Sequence, residues 1–170
     1  RLVAGLVDPD SGRVFVDGVE PREAAPAARF AGLSGVFQNY QQYAMTVAEN
    51  VSISVPDSPG DAVRVRRALS QADLRIEATE LPDGLETMLS REFGWVDLSG
   101  GEWQRVSIAR GLYRPADTII LDEPTAAIDP MEETRVYQAF MQAAKGRTAI
   151  VVTHRLGSAR IADRIIVMEQ

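Results

Sequence analysis

The chain has no cysteine, a single histidine and no long apolar run. Without cysteine there is no disulfide framework and no thiolate metal site, a condition compatible with a reducing compartment. The longest apolar stretches, such as Ala149–Val152 and Ile165–Met168, fall far short of the roughly 18 residues that a membrane-spanning helix needs. Any membrane partner is therefore expected outside these residues. Positive charge is scarce as well: 18 basic against 24 acidic residues give a net charge of −6. That leaves no surplus for nucleic-acid phosphates or anionic lipid, and no nucleic-acid role is expected. No basic-then-apolar signal segment opens the chain. What is present, 170 residues with 45% hydrophobic and 25% charged side chains, fits one globular domain with a sizeable core.

The pattern along the chain is that of an α/β domain. Arg1-Leu2-Val3-Ala4-Gly5 reads as the last turn of a helix closed by glycine. Ser11-Gly12, then Arg13–Val16, then Asp17-Gly18 read as turn, alternating strand and turn, which suits an antiparallel hairpin. Ala-rich Pro21–Ala31 predicts a short helix before a strand at Leu33–Phe37. Ala62, Val65, Leu69 and Ala72 form a helical stripe within Asp61–Ala72, with Arg64, Arg66 and Arg67 on the solvated side. Another helix is expected over Ser99–Arg114, stopped before Pro115. In the last third, Thr118–Leu121, Ala149–Thr153 and Ile165–Met168 are short runs rich in Ile and Val, as in strands buried on both faces. Helices are expected between them at Met131–Ala144 and Arg155–Ile161. A βαβαβ order of this kind predicts a parallel sheet with right-handed crossovers and function at the carboxyl ends of its strands.

Two segments carry the chemistry. In Thr118-Ile119-Ile120-Leu121-Asp122-Glu123-Pro124 an apolar strand delivers adjacent carboxylates to the sheet edge. Acids at a strand end also serve as plain solvated turn residues. The functional alternative gives them separate tasks, because successive side chains point oppositely: Asp122 holds the Mg²⁺ of a nucleotide, partly through water, and Glu123 orients or deprotonates an attacking water. Leu98-Ser99-Gly100-Gly101-Glu102 precedes an amphipathic helix, whose amides and dipole favour an anion. Ser99 and Glu102 have capping-box spacing, but a cap does not call for two glycines.

Leu98-Ser99-Gly100-Gly101-Glu102-Trp103-Gln104-Arg105 resembles the signature motif of ABC ATPases, and Ile119–Glu123 their Walker B strand, with 23 residues from Ser99 to Asp122. The other markers follow in order. Gln38 after Val36-Phe37 is similar to the Q-loop glutamine, followed by Thr46-Val47-Ala48-Glu49-Asn50; Ala126-Ala127-Ile128-Asp129 resembles the D-loop; His154 matches the switch histidine. Singly, Gln38 is an ordinary loop residue, Asp129 before Pro130 a helix cap and His154 an edge residue or cap. The ordered series across nearly the whole chain is what carries the resemblance.

The resemblance implies a P-loop NTPase-like parallel sheet flanked by helices, with an antiparallel β element near the N-terminus and an α-helical signature subdomain. The expected division of this single, partial ABC ATPase domain is residues 1–38 up to the Q-loop, 39–115 helical, and 116–170 core. It implies ATP and Mg²⁺ as ligands. Gln38, Asp122, Glu123 and His154 act on the subunit's own ATP, with Gln38 and Asp122 as metal ligands. Ser99, Gly100, Gly101 and Glu102 bind the ATP held by a partner domain in a head-to-tail dimer, and Asp129 links the two sites. Hydrolysis would drive export through transmembrane domains, fused or separate, at the cytoplasmic face of the plasma membrane. Leu81–Thr87, Arg91-Glu92-Phe93-Gly94 and Thr153-His154-Arg155-Leu156 favour the exporter type, while Glu102-Trp103 and Asp122-Glu123-Pro124-Thr125 depart from it. Non-transport ABC ATPases of DNA repair, chromosome organisation or translation are the competing class; Gln38 and Ser99 lie only 61 residues apart, too few for an inserted coiled coil. The family's Walker A sequence, G-x-x-x-x-G-K-[ST], does not occur in residues 1–170. The resemblance puts it just before Arg1, so the chain reads as truncated there and is expected to be inactive alone.

Overall fold

The computed structural model describes residues 1–168 except 17, 57–59, 77–79, 91–94, 124–129 and 155–158, with the backbone only at 130–133. Among the described residues three strands form one sheet: β1 (Leu33–Phe37), β2 (Thr118–Asp122) and β3 (Thr148–Val152). Their order is β1-β2-β3 and both pairings are parallel. Five α-helices accompany them among the described residues: α1 (Pro26–Ala31), α2 (Val47–Ser52), α3 (Ala62–Gln71), α4 (Gly100–Tyr113) and α5 (Pro130–Ala143).

Local chemistry fixes the helix starts. Proline sits in the first turn of α1, where no N–H is needed. Asp61 accepts from the amides of Val63 and Arg64 at 2.9 and 3.3 Å. Thr46 with Glu49 and Ser99 with Glu102 close full capping boxes at the heads of α2 and α4. The N-terminal segment behaves as its glycine suggests. Gly5 has φ +63, the Leu6 N–H donates to the Arg1 carbonyl at 3.1 Å and the Gly5 N–H to that of Leu2 at 2.9 Å. That pair of bonds has the Schellman pattern, formed here within a turn.

Helices α2 and α3 pack on α4, and α4 lies on β1. Val47 and Val51, Val65 and Leu69, Val106 and Ile108, Ile119 and Leu121, and Tyr137 and Phe140 belong to one buried cluster. The closest approach of helix and sheet is at Gly111, where an added Cβ would come within 2.5 Å of Val36 Cγ2. Ser34 Oγ donates to the Gly111 carbonyl at 2.6 Å. Beyond the helix end, the Arg114 guanidinium donates to the carbonyls of Leu33, Ser54 and Phe30 at 3.1, 2.7 and 2.8 Å, tying β1, α1 and the end of α2 together. Ser34, Val36, Ile119 and Leu121 share the covered face of the sheet. The opposite face is partly open, with Phe37 41% and Val152 48% exposed.

Two β expectations are corrected. The antiparallel element near the N-terminus is not found: among the described residues only a single bridge joins Val16 and Val19, with reciprocal N–H···O bonds of 2.9 and 3.0 Å, and every strand of the sheet is parallel. Phe15 and Val19 are about half exposed, at 53% and 49%, so the alternating pattern finds neither a buried face nor a third strand, and a lone two-stranded ribbon is marginal. Nor does Ile165–Met168 form a strand; its residues are 58% to 85% exposed. An Ile/Val run records a preference for burial but does not supply the neighbouring ladder. The helix expected at 155–161 falls largely on residues outside those described.

Candidate functional site

Parallel pairing places the ends of three strands side by side. Phe37, Asp122 and Val152 are register partners, so the chain leaves the sheet at one edge as Gln38, Glu123 and Thr153-His154. Asp122 alternates onto the open face with Phe37 and Val152 and is half-buried, as is Glu123, while Gln38 and His154 are exposed.

Glu123 is the most constrained of these. Its N–H continues the ladder to the Val152 carbonyl at 3.0 Å, yet its φ is +44. That left-handed conformation costs a residue bearing a Cβ about 1–2 kcal/mol and is the kind of strain that gathers at functional sites. In this conformation its carboxylate accepts a hydrogen bond from His154 Nδ1 at 2.9 Å. A carboxylate oriented by a histidine at the carboxyl edge of a parallel sheet is suited to holding a water and taking its proton.

The signature segment forms the head of α4. Ser99 Oγ accepts from the Glu102 N–H at 3.3 Å, and Glu102 Oε2 accepts from the Ser99 N–H and hydroxyl at 2.8 and 2.7 Å. The capping-box reading is thus correct. A Cβ on Gly100 would meet nothing within 4 Å, and on Gly101 only the Arg105 Nη1 at 3.7 Å. Packing among the described residues does not require glycine at either position, and glycine leaves the backbone there open to close approach. Among the described residues no hydrogen bond or ion pair joins Ser99–Glu102 to Asp122, Glu123 or His154. The structure brings the four strand-end residues to one edge and keeps the signature residues as a separate group. Asp129 lies outside the described residues.

Of the groups that connect the two, sequence reasoning missed Tyr40 and marked Arg110 only as part of the run after the signature motif, without a partner. Tyr40, two residues beyond Gln38, donates its hydroxyl to the Gly100 carbonyl at 2.9 Å. Burial raises the pKa of that hydroxyl, an effect partly offset by a hydrogen bond with Gln42. Arg110 reaches from α4 back to the segment after Gln38, and burial lowers the pKa of its guanidinium, with Tyr43 acting in the opposite sense. Their partners are mainly backbone carbonyls, which every residue possesses, so no motif marks them.

The donor set suits a magnesium nucleotide. Among the described residues no three acidic, histidine or cysteine side chains gather as a protein cage for a metal. Mg²⁺ prefers one or two oxygen ligands from protein, with water and phosphate oxygens completing the shell. Asp122 with the neighbouring Gln38 fits that demand.

The ABC transporter family model matches residues 1–126. The chain is 41% identical over 168 residues, 99% of its length, to the mycobactin import ATP-binding/permease protein IrtB of Mycolicibacterium thermoresistibile, covering 28% of that protein. It is 39% identical over 171 residues, 100% of its length, to the ATP-dependent lipid A-core flippase of Cupriavidus metallidurans, again covering 28%. A solved bacterial Atm1-family ABC exporter with ATP bound superimposes with a TM-score of 0.81 at 29% identity, over 96% of this chain and 28% of that one. The chain therefore spans little more than a quarter of these relatives. The likeness gives the fold as a P-loop NTPase-like α/β domain with a parallel core, and the sequence and structure together establish that the chain belongs to the ABC transporter family.

Proposed function

We propose that this chain is the ATP-hydrolysing part of an ABC transporter of the exporter type, working head to tail with a second such domain and driving membrane-spanning partners. The observation that carries the reading is the Glu123–His154 hydrogen bond at the strand edge that also bears Asp122 and Gln38. Glu123 accepts the proton of the attacking water and holds it in line. His154 keeps the Glu123 carboxylate oriented and contacts the γ-phosphate. Asp122 and Gln38 hold Mg²⁺, partly through water, and the metal neutralises phosphate charge. Phosphoryl transfer depends mainly on such positioning and charge stabilisation. Ser99, Gly100, Gly101 and Glu102 serve the nucleotide of the partner domain, supported by two glycines that packing among the described residues does not require, and Asp129 links the sites.

Among the described residues no helix is long and apolar enough to cross a membrane. On the likeness to an ABC exporter, this reading gives the membrane path to partner domains and places the domain at the cytoplasmic face of the plasma membrane. Movement outward is the primary reading, supported by the likeness to an ABC exporter. The relative at 41% identity is named for mycobactin import, which favours inward movement as the second reading. Glu123→Gln in the full-length gene product should leave ATP binding nearly intact. Because an amide keeps the shape but takes no proton, turnover should fall about 100-fold or more. Equal ATPase rates in mutant and parent would remove Glu123 from this role.

A further inference from the structure

Residues 38–46 connect β1 to α2 and begin with Gln38, yet much of what holds this loop comes from α4. Arg110 donates from Nε to the Asn50 carbonyl at 2.8 Å, from Nη1 and Nη2 to the Gln41 carbonyl at 3.2 Å each, and from Nη2 to Asn50 Oδ1 at 3.3 Å. Its guanidinium carbon lies 4.9 Å from the centre of the Tyr43 ring. Asn50, fully buried, passes the hold on: Nδ2 donates to the carbonyls of Tyr43, Met45 and Thr46 at 3.0, 3.2 and 3.1 Å, and Oδ1 accepts from the Tyr43 N–H at 3.4 Å. One side chain, directly and through Asn50, thus fixes the backbone at residues 41, 43, 45 and 46. On the other side of Gln38 the chain is fixed by the pairing of Phe37 with Asp122. Only residues 38–40 span the gap, about 10 Å of chain at most, and Tyr40 within it is tied to Gly100.

We propose that Arg110 is a positioning residue for Gln38, setting the reach of that amide toward the nucleotide by holding Gln41 and Tyr43 against α4. The proposal rests on the nucleotide-site reading above. A planar fork that donates to several acceptors while stacking on a ring is a task that lysine cannot reproduce.

Arg110→Lys in the full-length gene product is the test, since it retains charge and stem. Hydrogen exchange of the 38–46 segment should quicken roughly tenfold, as expected for the loss of about one charge-assisted hydrogen bond, while exchange in α3 stays unchanged. ATP turnover should fall roughly tenfold in the parent, but by less than about twofold in a Gln38→Ala background, because the two changes act on one group. A structural staple would instead give equal losses in both backgrounds. Should Arg110→Lys fail to fold, Tyr43→Leu removes the stacked ring without removing a backbone acceptor and carries the same readouts. A parent without ATPase activity, or full turnover in Gln38→Ala, would sink the nucleotide reading instead, with the exchange data still deciding whether Arg110 holds the loop. Unchanged exchange at 38–46, a rise of equal size in α3, or equal turnover losses in the two backgrounds overturns the proposal.

Discussion

Glu123 carries a side chain where backbone geometry favours none. Its N–H pairs with the Val152 carbonyl as the preceding peptide plane directs, while φ +44 sets where its side chain points and meets His154. Strain of this kind is visible in stability measurements. Glu123→Ala keeps the Cβ in the left-handed region, whereas Glu123→Gly removes it, so the glycine variant should be the more stable by about 1 kcal/mol. Denaturant melts of the two variants would decide this, and alanine proving equal or better would show that the turn carries no strain. Neither variant should retain turnover. The conformation itself was not legible in the sequence, though the residue was: Gln38, Glu123 and His154 follow closely on short apolar strands, and position at a strand end is a local property. Tyr40 and Arg110 were not legible as site residues because their reach depends on which backbone carbonyls the fold brings near.

Elements show the same division between local and long-range information. Thr46 with Glu49, Asp61, and Ser99 with Glu102 each fix a helix start within a few residues of themselves; the helices after Asp61 and Ser99 were readable, whereas α2, for all its capping box, was not expected from the sequence. The hairpin expected over Ser11–Gly18 and the strand expected at Ile165–Met168 were misread because a strand needs a partner, and the alternation or apolar run that suggests one says nothing of its neighbours. The α4–β1 junction is a long-range feature of the same sort. An alanine methyl at Gly111 would lie 2.5 Å from Val36 Cγ2, with the Gly35 carbonyl at 3.6 Å. The gain of about 1 kcal/mol in helix propensity should be outweighed by overpacking, typically 1–3 kcal/mol or more, since Val36 is 2% exposed and β-branched. Gly111→Ala should thus be destabilised, and Gly111→Ala with Val36→Ala should lose less than the sum of the single changes. Strict additivity in thermal melts would show that the two do not touch.

On the scale of the whole molecule, charge and exposed apolar surface act together. Phe37 and Val152 on the open sheet face, and Ile165–Met168 beyond it, leave apolar side chains 41% to 85% exposed. Parallel sheets are ordinarily covered on both faces, and apolar patches of this kind favour association. The 170-residue chain alone should therefore show a concentration-dependent sedimentation coefficient. Its capacity for nucleotide is limited for a separate reason. The strand edge offers Asp122 and Glu123, whose charges repel a triphosphate unless a metal lies between them, and residues 1–170 contain no G-x-x-x-x-G-K-[ST] segment to supply a cradle of amides and a lysine. The head of α4 makes no hydrogen bond or ion pair with Asp122 or Glu123 among the described residues. Calorimetric titration of the folded 170-residue chain with Mg-ATP should accordingly give no binding in the micromolar range and no hydrolysis, while the full-length gene product serves as the positive control. Micromolar binding by residues 1–170 would mean that the strand-end residues and the α4 glycines supply more of the affinity than their charges and separation allow.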